Sequence, residues 1–412
     1  MVRRTAYRPG GGFDMTMPIP MAGIGPAWPV PEAAAPLSDA TLDELATTIA
    51  VEATVIGLGE STRFARETFI VRDQLFRRLA RQHGFRALAM QDDATVAAKL
   101  DRYVTTGEGT ARSALDGAFR PWQTVEMATA LEWMREFNRD RPDDPIRIFG
   151  VKPAQPLPAD YDAILDCARQ SAPERLAELA SHLDPIRTAH QTEEHVQRAQ
   201  RTHPGRPFAE HARDALKIVE ALPDHSSGAV VERMRLIVRF HENSVAGKGS
   251  YAGDANVWAD TISAYQRRTD TRVAYWDGIA HTAAAPAVLG LQPERGPRPT
   301  TGSVLRQRYG HRYVSVAIGF HHGNLGIAVV PGPGSDLIDA KLAQPDRPPN
   351  HWLDLRSANM RRRWDGPAKA RVISGIYDPS RDSAEYMAVA SLPDAFDVLV
   401  HLDEVTPTRW LS

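Results

Sequence analysis

Cysteine is almost absent from this 412-residue chain: Cys167 stands alone. A single thiol excludes an internal disulfide and any metal site built from several cysteines. It lies in YDAILDCARQ at helical spacing from Ile164, the pattern of a buried structural side chain and not of a nucleophile. Long hydrophobic runs are missing as well, and no apolar stretch reaches the length of a membrane-crossing helix. The opening segment, MVRRTAYRPGGGFDMTMPIPMAG, has two early arginines but no continuous apolar core, which argues against a secretory signal. An excess of either charge is also lacking. With 49 basic and 51 acidic residues, the chain has no electrostatic footprint for nucleic acid or an anionic membrane. The expectation is a cytoplasmic protein whose partner is a small molecule; its oligomeric state is not readable.

What is present suits an enzyme-sized globular protein. Hydrophobic residues make up 42% and charged residues 24%, enough for a large core and too apolar for wholesale disorder. The length suggests two lobes, or one domain with a large insertion. Residues 1–37, rich in Gly, Pro, Met and Ala without periodicity, read as a flexible arm. From Ser38 or Asp39, a capped helix puts Leu42, Leu45 and Ala46 on one face. Strands then alternate with amphipathic helices: strand 54–59, helix 66–84 closed by Gly84, strand 85–90, helix 124–140 and strand 146–151. Residues 158–248 show only helical patterns, an all-helical insertion covering one end of the sheet. After helix 254–268, strands return at 271–276 and 312–320, with late strands near 326–330, 371–376 and 397–402; 293–302 reads as a loop. The expected fold is therefore α/β, a mainly parallel sheet flanked by helices, in parts 38–157 and 249–412 around the insertion.

Ligands of open α/β sheets bind beyond the carboxyl ends of the strands. Glu60-Ser61-Thr62-Arg63 follow the first strand, Gln91-Asp92-Asp93 the second and Lys152 the third. Asp277 and His281 follow VAYW, and His321, His322 and Asn324 follow VSVAIGF. Their convergence marks a crevice rich in ionisable groups, although any single tip reads more readily as a structural residue at a polar strand end. Gly57-Leu58-Gly59 is half of a dinucleotide fingerprint, but it lacks the third glycine and carries an acidic tip that repels pyrophosphate. Adjacent strand residues point to opposite faces, so His321 and His322 are not expected to share one ion, and no metal or other cofactor is expected. His281 also reads as the first residue of a helix. His401 reads as structural, and Asp403 and Glu404 close the last strand without an assigned role.

The segments GLGESTRFARETFIVRDQLFRRLARQHGFRALAMQDD, WQTVEMATALEWMREFNRDRPDDPIRIFGVK, RVAYWDGIAHTA, GSVLRQRYGHRYVSVAIGF and FDVLVHLDEVTPTRWL occur in the order of the erythromycin esterase family, which the chain resembles from about residue 38 to its end. The resemblance implies a deep cleft between sheet and helical insertion. It also implies metal-free hydrolysis of a lactone ester, with a histidine as general base for water. At that histidine's position stands Arg63, which stays protonated and cannot take a proton from water. Gln91 replaces a glutamate, Lys152 an aspartate, Gly278 a histidine and Ile279 an asparagine, while Glu60, Arg72, Trp276 and His281 are retained. Three of these changes make the cleft more positive, which suits an anionic or carboxylate-bearing ligand. Arg63 paired internally with Glu60 or Asp92 is the alternative.

These considerations predict a divergent esterase-like enzyme of bacterial secondary metabolism or antibiotic response, acting on a natural-product-type small molecule. Ester or lactone hydrolysis, or a related acid–base cyclisation or elimination, would use Glu60, His281 and Arg63, with Arg72, Gln91, Asp92, Lys152, Trp276, Asp277 and His321 binding substrate. A catalytically silent small-molecule binder is the alternative, and macrolide cleavage by His281 alone ranks last.

Overall fold

The computed structural model describes residues 35–152, 156–187, 206–222, 228–244, 251–373 and 377–411. In chain order the strands are β1 (Ala35–Pro36), β2 (Val55–Glu60), β3 (Phe85–Asp93), β4 (Arg147–Lys152), β5 (Arg272–Gly278), β6 (Val288–Leu289), β7 (Tyr313–Asn324), β8 (Val329–Val330), β9 (His351–Asp354), β10 (Ala368–Arg371), β11 (Tyr386–Val389) and β12 (Val398–Val405). The main sheet runs β1-β9-β12-β7-β2-β5-β3-β4, with β8 paired to β7. From β12 to β4 every neighbour is parallel. The β1, β8 and β9 additions are antiparallel. A second, antiparallel sheet, β10-β11-β6, holds its own core with Trp364, Met387 and Phe396.

Both faces of the parallel strands are covered, which is why they read as continuous apolar runs. Helices Asp39–Ala50, Arg66–His83, Ala94–Thr106 and Val125–Arg139 fill one face with Leu45, Leu75, Phe76, Leu100, Leu131 and Met134. Helices Tyr251–Thr269 and Thr301–Tyr309 cover the other with Trp258, Ile262 and Leu305. Caps set their ends. Ser38 and Thr41 exchange side-chain to backbone hydrogen bonds at the first helix, and Gly84 closes the second at φ 68°. Described residues between 158 and 244 are helical and pack around Tyr161, Ile164, Leu179, Phe208, Ile218 and Ile237. Cys167 is only half-buried at the margin of this core, more open than its spacing suggests.

The parallel strands run further than their apolar letters. β3 continues through Gln91-Asp92-Asp93, and β7 carries His321 and His322 on the strand itself. Ladder hydrogen bonds are made by the backbone, so polar side chains do not end them. Ala35–Pro36, part of the arm by composition, forms an edge strand on β9, where proline is tolerated. Residues 1–34 of the arm lie outside the described residues. The strand expected at 371–376 sits earlier, at Ala368–Arg371. Helix Ala94–Thr106 begins directly from β3 because the Asp93 carboxylate accepts the Thr95 and Val96 N–H groups. No helix among the described residues is long and apolar enough to cross a membrane.

Candidate active site

Gly57 and Gly59 allow a close approach of the chain to β2. A Cβ on Gly57 would stand 2.3 Å from Tyr313 Oη, and one on Gly59 2.1 Å from Thr282 Oγ1 and 2.9 Å from the Ile279 backbone. Their absent side chains let the short helix Ile279–Thr282, which carries His281, lie against the end of β2. The glycines serve packing, and no phosphate cradle is involved.

Glu60 ends β2 with its side chain 2% exposed. Arg72 Nη1 lies 2.8 Å from Glu60 Oε1, and Arg63 Nε lies 3.7 Å from it. The contact with Arg72 is an ion pair without an aligned hydrogen bond. Burial pushes the Glu60 carboxyl above its ordinary range, and Arg72 and then Arg63 oppose that push. Arg72 is enclosed by aromatic rings, with its guanidinium 4.7 Å from the Trp276 ring centre, 5.1 Å from Trp122 and 5.1 Å from Phe69. Cation–π attraction offsets part of the cost of dehydrating it. Trp276 in turn packs edge-on against Phe69 and Phe76. Arg72 and Trp276 are fully buried and support Glu60 from behind.

Arg63 lies just beyond the end of β2. Its Nη2 donates to the Asp277 carboxylate, which also accepts Tyr275 Oη at 2.5 Å and the Gly278 N–H at 2.7 Å. The Asp277 pairing, with Glu60 nearby, fixes a guanidinium that stays 17% exposed. Asp92, the other candidate partner, is engaged elsewhere: its oxygens accept the Phe119 and Asp93 N–H groups at 2.8 and 2.9 Å. Desolvation raises Asp92 to about 6 against those bonds. Gln91 is buried, its carbonyl accepting from the Trp122 indole at 3.1 Å.

Around Arg63 the rim is aromatic and cationic. The Arg63 guanidinium stands 5.3 Å from the Phe119 ring centre, and Lys152 Nζ stands 5.0 Å from the same ring. Lys152 also lies 5.8 Å from Trp258, whose ring is 4.8 Å from that of half-buried His281. Desolvation lowers His281 to about 4. Asp277 opposes the fall, while Arg63 and Lys152 deepen it. The imidazole is therefore neutral at pH 7.

His321 stands apart from this group. Its Nδ1 is 3.0 Å from Nδ1 of His322, so the two rings meet despite being adjacent on a strand. Gly323 follows at φ 150°, still paired with Val405 of β12. Desolvation, and then His322, lower the His321 pKa. The structure thus gathers Glu60, Arg63, Arg72, Lys152, Trp276, Asp277 and His281, with Gln91 and Asp92 beneath the rim. Sequence reasoning passes over Phe119, Trp122, Trp258 and Tyr275. Tyr275 lies inside β5 and the other three follow no strand, and an aromatic at core-like spacing gives no sign that it will meet a charged group.

Comparisons with known proteins agree with this architecture. The family described as erythromycin esterase matches residues 80–405. No curated protein matches the chain. Among solved structures, a Bacillus cereus protein superposes with a TM-score of 0.66 at 18% identity, over 92% of this chain and 97% of that one. A succinoglycan biosynthesis protein gives 0.65 at 19% identity, over 91% and 95%. A mutant of the erythromycin esterase EreC in its open conformation gives 0.55 at 14% identity, over 88% and 94%. At such identities the superpositions speak for the fold alone, while the family match spans most of the chain. The chain belongs to the erythromycin esterase family.

Proposed function

We propose that this protein is a divergent esterase-like hydrolase that cleaves an ester or lactone in a small natural-product-type molecule bearing a carboxylate or similar anion. The observation that carries this reading is the partly exposed guanidinium of Arg63, held by Asp277 beside Glu60, with Lys152 and neutral His281 on the same rim. His281 accepts a proton from water as the oxygen adds to the ester carbonyl. Arg63 supports the oxyanion, and Lys152 holds the ligand's anionic group. When the tetrahedral intermediate collapses, the proton passes from His281 to the departing alcohol. Glu60 orients Arg63 and takes no proton itself, because Arg72 already occupies it. Metal-free acid–base chemistry and a role in bacterial secondary metabolism or antibiotic response belong to the same proposal, as does a related cyclisation or elimination.

One observation favours a second reading, a silent small-molecule binder: the retained glutamate is committed to two arginines. A set of chromogenic esters and lactones, with and without a carboxylate, separates the two. Turnover should fall ~10²–10⁴-fold in His281→Gln, the range for removing a positioned base. Lys152→Met should raise KM for the carboxylate-bearing esters alone. Saturable binding of these compounds without any turnover would favour the binder and sink the hydrolase.

A further inference from the structure

We propose a divalent-cation site at the far end of β7 and β12, formed by His321, His322 and Asp403 and suited to zinc. One ligand atom from each residue lies within 4.8 Å of the other two. The two Nδ1 atoms are 3.0 Å apart. Two imidazole nitrogens bound to one tetrahedral zinc ion, each ~2.0–2.1 Å from the metal, stand ~3.3 Å apart, so the rings need little adjustment to share an ion.

The sheet register explains how Asp403 arrives. Leu402 pairs with Phe320 and Glu404 with His322, which puts Asp403 beside His321 on the neighbouring parallel strand. Side chains at such positions project to the same face. The Asp403 N–H donates to Asn350 Oδ1 at 2.9 Å, which holds that backbone without engaging the carboxylate. The counter-charge is also arranged. Arg371, whose Nη1 donates to the His321 carbonyl at 2.6 Å, faces Asp382 at 3.5 Å, and its N–H bonds the Asp339 carboxylate at 2.8 Å. This buried cation is thereby partly neutralised.

Two imidazoles and one carboxylate form a borderline ligand set that favours zinc or cobalt over magnesium or calcium. All three residues are half-exposed, so water or a ligand group can take the remaining position. Three protein ligands with one open position is the arrangement of reactive zinc sites, whereas structural sites are closed. Glu60 pairs with Ile318, three positions before His321 on β7, so the ion would sit ~10 Å further along the strand, at the same end of the sheet. The helical insertion has a second histidine pair, His182 and His211, with Nδ1 atoms 3.4 Å apart, but no third ligand joins it among the described residues.

The test is metal binding to the chelator-stripped full-length chain, with no substrate present, so its outcome is independent of the hydrolase reading. Zn²⁺ is titrated by calorimetry and against a chromophoric chelator, and Co²⁺ is followed by its visible spectrum. One ion per chain is expected, with a tetrahedral-type cobalt spectrum. His322→Ala should abolish binding and Asp403→Asn should weaken it at least tenfold, while His182→Ala should leave it unchanged. Circular dichroism of the metal-free variants checks folding, and the near-isosteric Asp403→Asn keeps the test decisive if His322→Ala misfolds. Absence of binding, equal affinity in both site variants, or loss in His182→Ala would each overturn the assignment.

Discussion

Arg63 and Asp277 are 214 positions apart and form an ion pair at the ends of adjacent strands. The guanidinium stands where relatives are expected to carry a base, and the aspartate that holds it has two further donors, Tyr275 and Gly278. A permanent cation has been built in as a structural member and cannot simply swing aside.

This arrangement makes Arg63→His informative. The shorter imidazole leaves Asp277 with Tyr275 and Gly278 and puts a titratable ring beside Glu60. Hydrolysis of uncharged macrocyclic lactones, followed by chromatography, should rise by ~10²-fold or more. Preference for carboxylate-bearing esters should fall. Rates unchanged for both substrate classes would show that position 63 takes no part in the chemistry.

Arg72→Ala tests the support behind the site. It leaves the Glu60 carboxylate buried with Arg63 as its remaining partner and empties a box of three aromatic rings. Removing one partner of a buried pair costs ~3–5 kcal/mol. Urea denaturation should show a loss of that order, partly recovered in Arg72→Met/Glu60→Gln. A midpoint shift of only a few tenths of a molar would mean that the pair is dispensable.

Gly59→Ala should act at a distance. Its methyl group collides with Thr282 and the Ile279 backbone, so helix Ile279–Thr282 must move outward with His281. Overpacking of this kind costs ~1–3 kcal/mol. Catalytic loss is expected to exceed what that instability explains at a temperature where the variant is fully folded. Wild-type turnover in a folded Gly59→Ala would refute the link between the glycine and the position of His281.

Acid sensitivity should trace in part to His401. Its ring is buried, 5.2 Å from that of His351 and 6.5 Å from that of His321, and desolvation lowers its pKa to about 3. Folding therefore favours the neutral ring. Its contribution is complete above the ordinary histidine value near 6.5 and is lost as pH falls towards 3. Between pH 7 and 5 it amounts to ~2 kcal/mol. His401→Leu should flatten the stability profile by that amount in denaturation series at the two pH values. An unchanged slope would place the acid sensitivity elsewhere.

The strand-and-helix frame is legible because parallel strands covered on both faces are written as short β-branched runs, and VIGLGE and RVAYW have no other comfortable setting. The convergence of Glu60, Arg63, Lys152, Asp277 and His281 follows from the rule that such strands deliver their ends to one place. Three features escape it. Arg72 and Trp276 stand behind the site where the pattern puts them against a ligand, because spacing does not say which layer of a site a residue occupies. Arg63 chooses Asp277, a partner that only the β2–β5 register brings near. His321 and His322 bring their rings together although they are neighbours on β7, which alternation alone does not foresee.

Two residues of backbone, Ala35 and Pro36, seal β9 at the margin of the main sheet. A chain trimmed to begin at Asp39 would keep every residue of the candidate site and still leave the outer hydrogen-bonding edge at His351 and Trp352 unclaimed. Bare strand margins recruit other strands. Shortened versions of this protein should therefore tend to self-associate, and a solubility screen that varies only the starting residue should improve sharply once Ala35 is included.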